Sequence, residues 1–358
     1  MSSNRTAFCL AEDRTDHETG LRLAILSLVQ HCPGAPVYVY KPPAESRFAE
    51  WVKQFPQVTW FPHRPAGSHA WNCKPQALKP LLDRGHRDAV WLDADLVVTR
   101  DCCPHFERLD ESVIGVAQEP ASLDYQGTAV RTRAWKLPVG RSLEFTLNSS
   151  VVRVTGRHRA LLTRWAELVN DPQYIACQKL TLEERPIHMA GDQDVLNALL
   201  GSSEFADIPL HVFRSAIDII HAGGALGYSA GERIRGLFRP KPTFFHATAG
   251  KPWLWLGGES YWSQRNFFSW HRRLLQETSP YLFEVRRYRD QLGEDAAWMD
   301  WRTGTGTVLR CLGLGHFALR GLPIALAAAV MDAIQERSRP AGTTKVSEEA
   351  VPVFGRRQ

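Results

Sequence analysis

The first hundred residues alternate between two hydrophobic periods, and that alternation restricts the fold more than any single motif does. Thr6–Ala11 (TAFCLA) reads as a short buried strand, and the stretch from Glu18 to Cys32 carries apolar residues at Leu21, Ile25, Leu28 and Val29, the spacing of a helix face. The pattern then repeats. Pro36–Tyr40 (PVYVY) is a strand, Glu45–Phe55 a helix, Val58–Phe61 (VTWF) a strand, Lys74–Gly85 a helix interrupted by Pro80, and Asp88–Val98 (DAVWLDADLVV) a strand. Continuous apolar strands alternating with helices imply a mostly parallel sheet covered on both faces, with ligands gathering at the carboxyl ends of the strands. The 358 residues suffice for one large α/β domain with additions or for two domains.

Farther along, Ser112–Ala117 and Phe145–Thr155 read as strands separated by a loop-like stretch rich in Gly, Arg and Pro. A helix follows over Arg157–Asn170. Met189–Ser202 (MAGDQDVLNALLGS) is a turn leading into a helix with Asp192 as its N-cap. The region up to Arg239 is weakly patterned, and helical segments rich in arginine and aromatics fill the chain beyond Trp253. Residues 338–358 have little to bury and are expected to be disordered.

Charge and cysteines exclude some classes. A net charge of +5 is too mild for a dedicated nucleic-acid binder but suits anionic small molecules or anionic lipid. Seven scattered cysteines form no C-x-x-C pair, so no zinc ribbon or redox motif is indicated. The N-terminus lacks the apolar core of a signal peptide, and reduced thiols in a cytoplasm are the expectation. The longest apolar stretch, Val308–Ile334, is broken by Arg310, His316, Arg320 and Pro323, short of a spanning helix.

One strand poses a chemical problem. Asp93 and Asp95 sit two residues apart inside the apolar run VWLDADLVV. A buried carboxylate without a partner is expensive, and a second beside it adds repulsion. In a strand, a spacing of two turns both side chains to one face, where a divalent cation would neutralise them. Two enzyme classes use such a pair. Metal-dependent sugar transferases hold Mn²⁺ or Mg²⁺ against a nucleotide diphosphate with it. Haloacid-dehalogenase-like phosphohydrolases read D-x-D-x-[TV]-[LV] as nucleophile and general acid, which DADLVV satisfies. The phosphohydrolase strand usually opens its domain, whereas three strand–helix units precede this one. That class also needs a later acid where this chain has Leu196. A non-catalytic carbohydrate-related subunit is the third reading.

Three further landmarks follow in order: Asn148 in LNSSVV, Asp192 and Gln193 in GDQDVLN, and His246 with Lys251 in FFHATAGKPW. Imidazole can ligate Mn²⁺, and lysine can bind phosphate as a point charge. In combination over residues 6–256 these motifs resemble the GT-A nucleotide-sugar glycosyltransferases, most of all the retaining glycosyltransferase family eight of glycogenin and the lipopolysaccharide galactosyltransferases. The resemblance implies a mixed, mostly parallel Rossmann-like sheet flanked by helices over residues 1–256, a helical C-terminal extension over 257–337, and the tail 338–358.

By that resemblance Asp93, Asp95 and His246 are the ligands of Mn²⁺ (or Mg²⁺), and Lys251 holds the diphosphate of a UDP-sugar. Asn148, Asp192 and Gln193 line the donor sugar, with Gln193 nearest the anomeric carbon and configuration retained. The Ala11 backbone, Asp13, Arg14, Lys74, Asp93 and Ala94 are candidate contacts to the nucleotide sugar. The chain departs from the family pattern in placing Lys251 five rather than six positions after His246, with Ala249 where glycine is usual, and in reading Asn148-Ser149-Ser150-Val151 for N-S-G-V. The implied partners are a nucleotide-sugar donor and a saccharide or lipid-linked acceptor of polysaccharide biosynthesis. The aromatic and arginine-rich C-terminal segment lies flat on an anionic bilayer surface, or else covers the sheet or pairs two protomers.

Overall fold

The computed structural model describes residues 6–43, 47–67, 72–120, 127–222, 228–248, 251–256, 274–300, 302–311 and 316–337. Its strands are β1 (Thr6–Ala11), β2 (Val37–Tyr40), β3 (Val58–Phe61), β4 (Asp88–Leu92), β5 (Leu96–Val98), β6 (Ile114–Gln118), β7 (Leu147–Val154), β8 (Leu210–Phe213), β9 (Ile219–His221) and β10 (Phe244–His246). Seven of them form a sheet ordered β3-β2-β1-β4-β7-β6-β8, with β7 running against both of its neighbours and every other pairing parallel. The expected mixed, mostly parallel sheet flanked by helices is therefore present.

Period-two alternation sorts its two faces. Cys9 and Trp91 point to one side, where they pack with Leu78 and Leu81 of the helix Lys74–Asp83, and with Leu162, Trp165, Val195 and Leu199. Phe8, Leu10, Val90 and Leu92 point to the other, against Leu21, Ile25 and Leu28 of the helix Glu18–His31 (α1). The remaining helices of the main sheet are α2 (Phe48–Val52), α3 (Lys74–Asp83), α4 (Cys103–Glu107), α5 (Ala129–Ala134), α6 (Arg159–Val169), α7 (Pro172–Cys177) and α8 (Asp192–Gly201), with α9 (Ala230–Gly236) beyond them.

Several local expectations change. The run DAVWLDADLVV is two strands, not one. β4 ends at Leu92, the chain turns through Asp93–Asp95, and β5 joins a second sheet ordered β5-β10-β9. The turn is closed by Leu96 N–H donating to the Asp93 carbonyl at 3.0 Å, while Asp93 N–H reaches the Ser150 carbonyl at 2.9 Å. Strand pleating therefore does not align the two aspartates; a turn between sheets does. Helix α3 runs through Pro80 without a break, forgoing only the bond that position 80 would have donated. Gly191, in extended conformation, is the N-cap of α8, and Asp192 is its first helical residue, because the Asp192 carboxylate is drawn outward to Lys74. The loop-like stretch before β7 contains α5, entered through Gly127 at φ +60°.

A third apolar cluster lies behind the small sheet. Leu23 and Leu26 on the far side of α1 meet Val97, Phe245, Trp253, Tyr281, Leu282, Val285, Trp298 and Phe317. The described part of the C-terminal extension is helical, including Pro280–Val285, Gly304–Cys311 and Leu322–Arg337, and Phe317 packs on Tyr228 and Phe245. Residues 257–273 and the tail 338–358 lie outside the described residues, as do Ala249 and Gly250. Among the described residues, no helix is long and apolar enough to cross a membrane.

Asn197 fastens α8 to the sheet. Fully buried, it accepts from Leu147 N–H at 2.8 Å and donates to the Leu147 carbonyl at 2.7 Å and the Gln193 carbonyl at 2.8 Å. Replacing it strands two backbone groups of β7, each worth ~1–3 kcal/mol when left unsatisfied. Asn197→Ala is expected to lower the unfolding free energy by about 2–4 kcal/mol in urea denaturation, and a loss below about 0.5 kcal/mol would contradict the clamp.

Candidate functional site

The carboxyl ends of β1, β4 and β6, the start of β7 and the first turn of α8 open onto one cleft of about 490 Å³. That volume is in the ordinary range for a small-molecule site. Ala11, Asp13, Arg14, Lys74, Asp93, Ala94, Asp95, Asn148, Asp192, Gln193, His246 and Lys251 all line it.

The centre of the cleft is built by strand pairing. β10 runs antiparallel to β5 with His246 opposite Leu96, and Ala247 N–H donates to the Asp95 carbonyl at 3.0 Å. This carries His246 to the turn that holds the aspartates. Its Nε2 lies 3.2 Å from Asp95 Oδ1 and 3.9 Å from Asp93 Oδ2, and one donor atom from each of the three residues falls within 4.8 Å of the others.

His246 has a polar neighbour behind it. β9 pairs with β10 so that His221 stands beside His246. His221 Nε2 faces the Gln118 carbonyl at 2.9 Å and donates there, so its Nδ1 is an acceptor, 3.1 Å from His246 Nδ1 and 3.3 Å from Thr248 Oγ1, which is itself 3.2 Å from His246 Nδ1. A proton on His246 Nδ1 leaves the lone pair of Nε2 facing the carboxylates. Burial holds both imidazoles neutral, pushing His246 below its ordinary value and His221 down to about 3, the latter with help from His246 beside it. Two carboxylates and a neutral imidazole oriented by a second donor–acceptor pair fit an oxygen-preferring divalent cation such as Mn²⁺. The cleft lining as a whole carries seven carboxylates against five lysines and arginines, a surplus that such a cation would balance.

The lysines divide the acidic load. Lys74 Nζ, buried, lies 3.0 Å from Asp93 Oδ1 and 3.2 Å from Asp192 Oδ2, and donates to Ser149 Oγ at 2.6 Å. Burial alone would lower its pKa, but Asp192 and Asp93 outweigh that and raise it. Its ammonium therefore stays charged at the floor of the cleft, bonded to the protein on three sides. Lys251 Nζ contacts Asp95 and donates to the Ala247 carbonyl at 2.8 Å, and burial brings its pKa down to about 8.

On the opposite wall Glu119 gathers two predicted residues. Asn148 Nδ2 donates to Glu119 Oε2 at 2.5 Å and Gln193 Nε2 to the same oxygen at 3.2 Å. Burial pushes the Glu119 carboxyl up from its usual range. Asp194, the second acid of GDQD, is occupied elsewhere, by Arg131 Nε at 2.6 Å. At the β1 end of the cleft, Ala11 closes β1, Asp13 pairs with Arg64 at 2.8 Å, and Arg14 is held by Glu12 at 2.8 Å.

Sequence reasoning did not single out Glu119, Ser149, Arg131 or His221. A carboxylate closing the apolar run VIGVAQE was the one visible cue for Glu119; His221 ends a three-residue strand that carries no readable period.

No protein-family model matches the chain, and no curated protein matches it either. Solved structures that it resembles include glycosyltransferases. One is the galactosyltransferase LgtC in complex with donor and acceptor sugar analogs, at 14% identity and TM-score 0.47 over 76% of this chain and 94% of that one. Another is the glycosyltransferase GlyE of Streptococcus pneumoniae TIGR4, at 18% identity and TM-score 0.42, where 69% of this chain covers 56% of GlyE. A third is the WbbM bifunctional glycosyltransferase, at 12% identity and TM-score 0.45, of which this chain spans 46%.

The second imidazole is the testable part of the centre. His221→Ala removes the acceptor that fixes His246, and outer partners of this kind are worth about 10–100-fold in metal affinity. Titration of Mn²⁺ followed by electron paramagnetic resonance should show that loss with the circular dichroism spectrum unchanged; unaltered affinity would mean that His221 does not orient His246 toward a metal.

Proposed function

We propose that the protein is a metal-dependent hexosyltransferase with a GT-A fold, moving a sugar from a nucleotide-diphosphate donor, a UDP-sugar, to a saccharide or lipid-linked acceptor in the cytoplasm. The observation that carries this reading is the convergence of the Asp93–Asp95 turn, His246 and Lys251 with Asn148, Asp192 and Gln193 around one cleft. Asp93, Asp95 and His246 would hold Mn²⁺ or Mg²⁺. Bound there, the cation supplies neutralising charge for the leaving diphosphate.

The side chains around it have separate tasks. Lys251, in contact with Asp95, exchanges that partner for a phosphate oxygen when the donor arrives. Lys74 keeps Asp93 and Asp192 ionised and fixed. Gln193 and Asn148, both anchored on Glu119, face the donor sugar, with Gln193 nearest the anomeric carbon and configuration retained. Ala11, Asp13, Arg14 and Ala94 border the nucleotide. As a family-eight-type enzyme it would retain the anomeric configuration.

A screen of UDP-, GDP- and CDP-sugars with Mn²⁺ tests the assignment. UDP-sugar turnover is expected, with the product's anomeric proton showing retention by nuclear magnetic resonance. Asp95→Asn should weaken metal-supported nucleotide binding by more than about 100-fold while preserving the fold, since it removes ligand charge and little volume. Failure of every donor together with turnover of a phosphomonoester would turn the assignment to the phosphohydrolase class. Donor binding that never leads to turnover would turn it to a non-catalytic subunit.

The exposed side of the C-terminal extension supports peripheral contact with an anionic membrane. Leu326, Val330, Met331 and Ile334 are about half exposed on Leu322–Arg337, and Phe238 is 86% exposed beside the exposed Arg235 and Arg239. Apolar side chains flanked by arginine suit the lipid interface. The double variant Phe238→Ser with Met331→Ser should float with anionic liposomes several-fold less than the parent chain; equal flotation of the two, or none of either, would remove the membrane reading.

A further inference from the structure

Three of the seven cysteines meet away from the cleft, and none of them lines it. Cys32 closes the carboxyl end of α1, and Cys102 and Cys103 open α4, directly after the strand that leaves the Asp93–Asp95 turn. Cys32 Sγ lies 3.4 Å from Cys102 Sγ. One donor atom each from Cys32, Asp101 and Cys103 falls within 4.8 Å of the others. Cys32 is buried, Cys103 nearly so, and Asp101 is exposed, which gives the group an entrance from solvent.

We propose that Cys32, Asp101 and Cys103 form a second metal site, for a borderline-soft divalent cation of the zinc class rather than the hard cation of the cleft. Two thiolates and a carboxylate are the donor set that favours such an ion, with a fourth position open. The backbone is already set for it. Cys103 N–H donates to Asp101 Oδ1 at 3.0 Å, fixing the carboxylate beside its own thiol, and Gln57 Nε2 holds the Cys32 carbonyl at 3.1 Å. A disulfide accounts for less of the arrangement. The Cys32–Cys102 sulfurs, 3.4 Å apart, stand well beyond the ~2.05 Å of a bond, and a disulfide between them would leave Cys103 and the Asp101 carboxylate beside it unbridged.

The site would tie the end of α1 to the entry of α4. β5, whose first residue follows Asp95, is already bound to α1 through Val98 N–H to Ser27 Oγ at 3.0 Å. A metal at Cys32 and Cys103 would close the other end of that segment, and its binding energy would add to folding stability.

Co²⁺ is the probe, because thiolate–cobalt charge transfer in the near ultraviolet reports sulfur ligation and is silent at a site of two carboxylates and an imidazole. Reduced, metal-stripped full-length protein should develop this band with one equivalent of Co²⁺. Asp95→Asn should keep the band, Cys103→Ser should lose at least half of it, and Asp101→Asn should weaken Co²⁺ by about 10–100-fold. Zn²⁺ should raise the thermal midpoint of the parent chain and of Asp95→Asn but not of Cys103→Ser. Absence of the band while a thiol count shows all cysteines reduced would overturn the proposal. So would a band that survives both Cys32→Ser and Cys103→Ser, or a Cys32–Cys102 disulfide found by non-reducing peptide mapping of the protein as isolated.

Discussion

Lys74 Nζ is the point to which the cleft is tied. It reaches from the first turn of α3 to Asp93 in the intersheet turn, to Ser149 in β7 and to Asp192 at the start of α8, so four elements meet on one ammonium. Burying an ammonium is unfavourable unless opposing charge is fixed nearby, and here two carboxylates fix it. The converse holds as well. Without Lys74, Asp93 and Asp192 would be two partly buried acids with no cation between them, and desolvation already pushes Asp192 up. The ion cluster therefore sets the distance between the Asp93–Asp95 turn and the helix that presents Gln193.

The two acids of the turn are held differently. Asp93 is shared between Lys74 and Trp91, whose indole N–H donates to Asp93 Oδ1 at 2.7 Å, leaving its other oxygen toward His246. Among the described residues, Asp95 meets Lys251 and His246 and lacks a comparable pair of anchors. One carboxylate is fixed by two donors and the other faces groups of the cleft, an asymmetry that would suit a centre in which one side exchanges partners and the other keeps the geometry.

Much of this was legible in the sequence, and what was not has physical reasons. β1 to β3 and α1 announced themselves because their apolar periods are long or their borders carry Gly and Pro. The break between β4 and β5 did not, since LVV is as apolar as DAVWL. What separates them is the pairing of β5 with β10, a partner nearly 150 residues later in the chain. α5 was invisible because its buried face is Ala129, Thr132 and an Arg131 bonded to Asp194, with no large apolar side chain to mark a period. The cleft residues were found through motifs, while Glu119 and His221 act through partners contributed by other strands, Asn148 and His246. A second-layer residue has no local signature; its meaning lies in a contact.

The same logic explains why the lysine that faces Asp95 is followed by Pro and Trp. Helix α1 is packed on both sides, by the large sheet through Leu21 and Ile25 and by the small sheet through Leu23 and Leu26. At its start, Gly20 has no side chain where a Cβ would come within 2.5 Å of Trp253 Cζ2 and 3.1 Å of the Ala94 carbonyl. The indole therefore slots against α1 immediately behind Ala94, the middle residue of the Asp93–Asp95 turn. Pro252 begins the 3₁₀ turn that carries Trp253, so seating the ring also sets the backbone of Lys251 beside Asp95. Trp253 in turn rests on Tyr281 and Trp298 of the C-terminal extension, with ring centroids 6.2 and 6.1 Å away. The extension is thus a buttress for the cleft, transmitted through one indole to the turn that holds both aspartates.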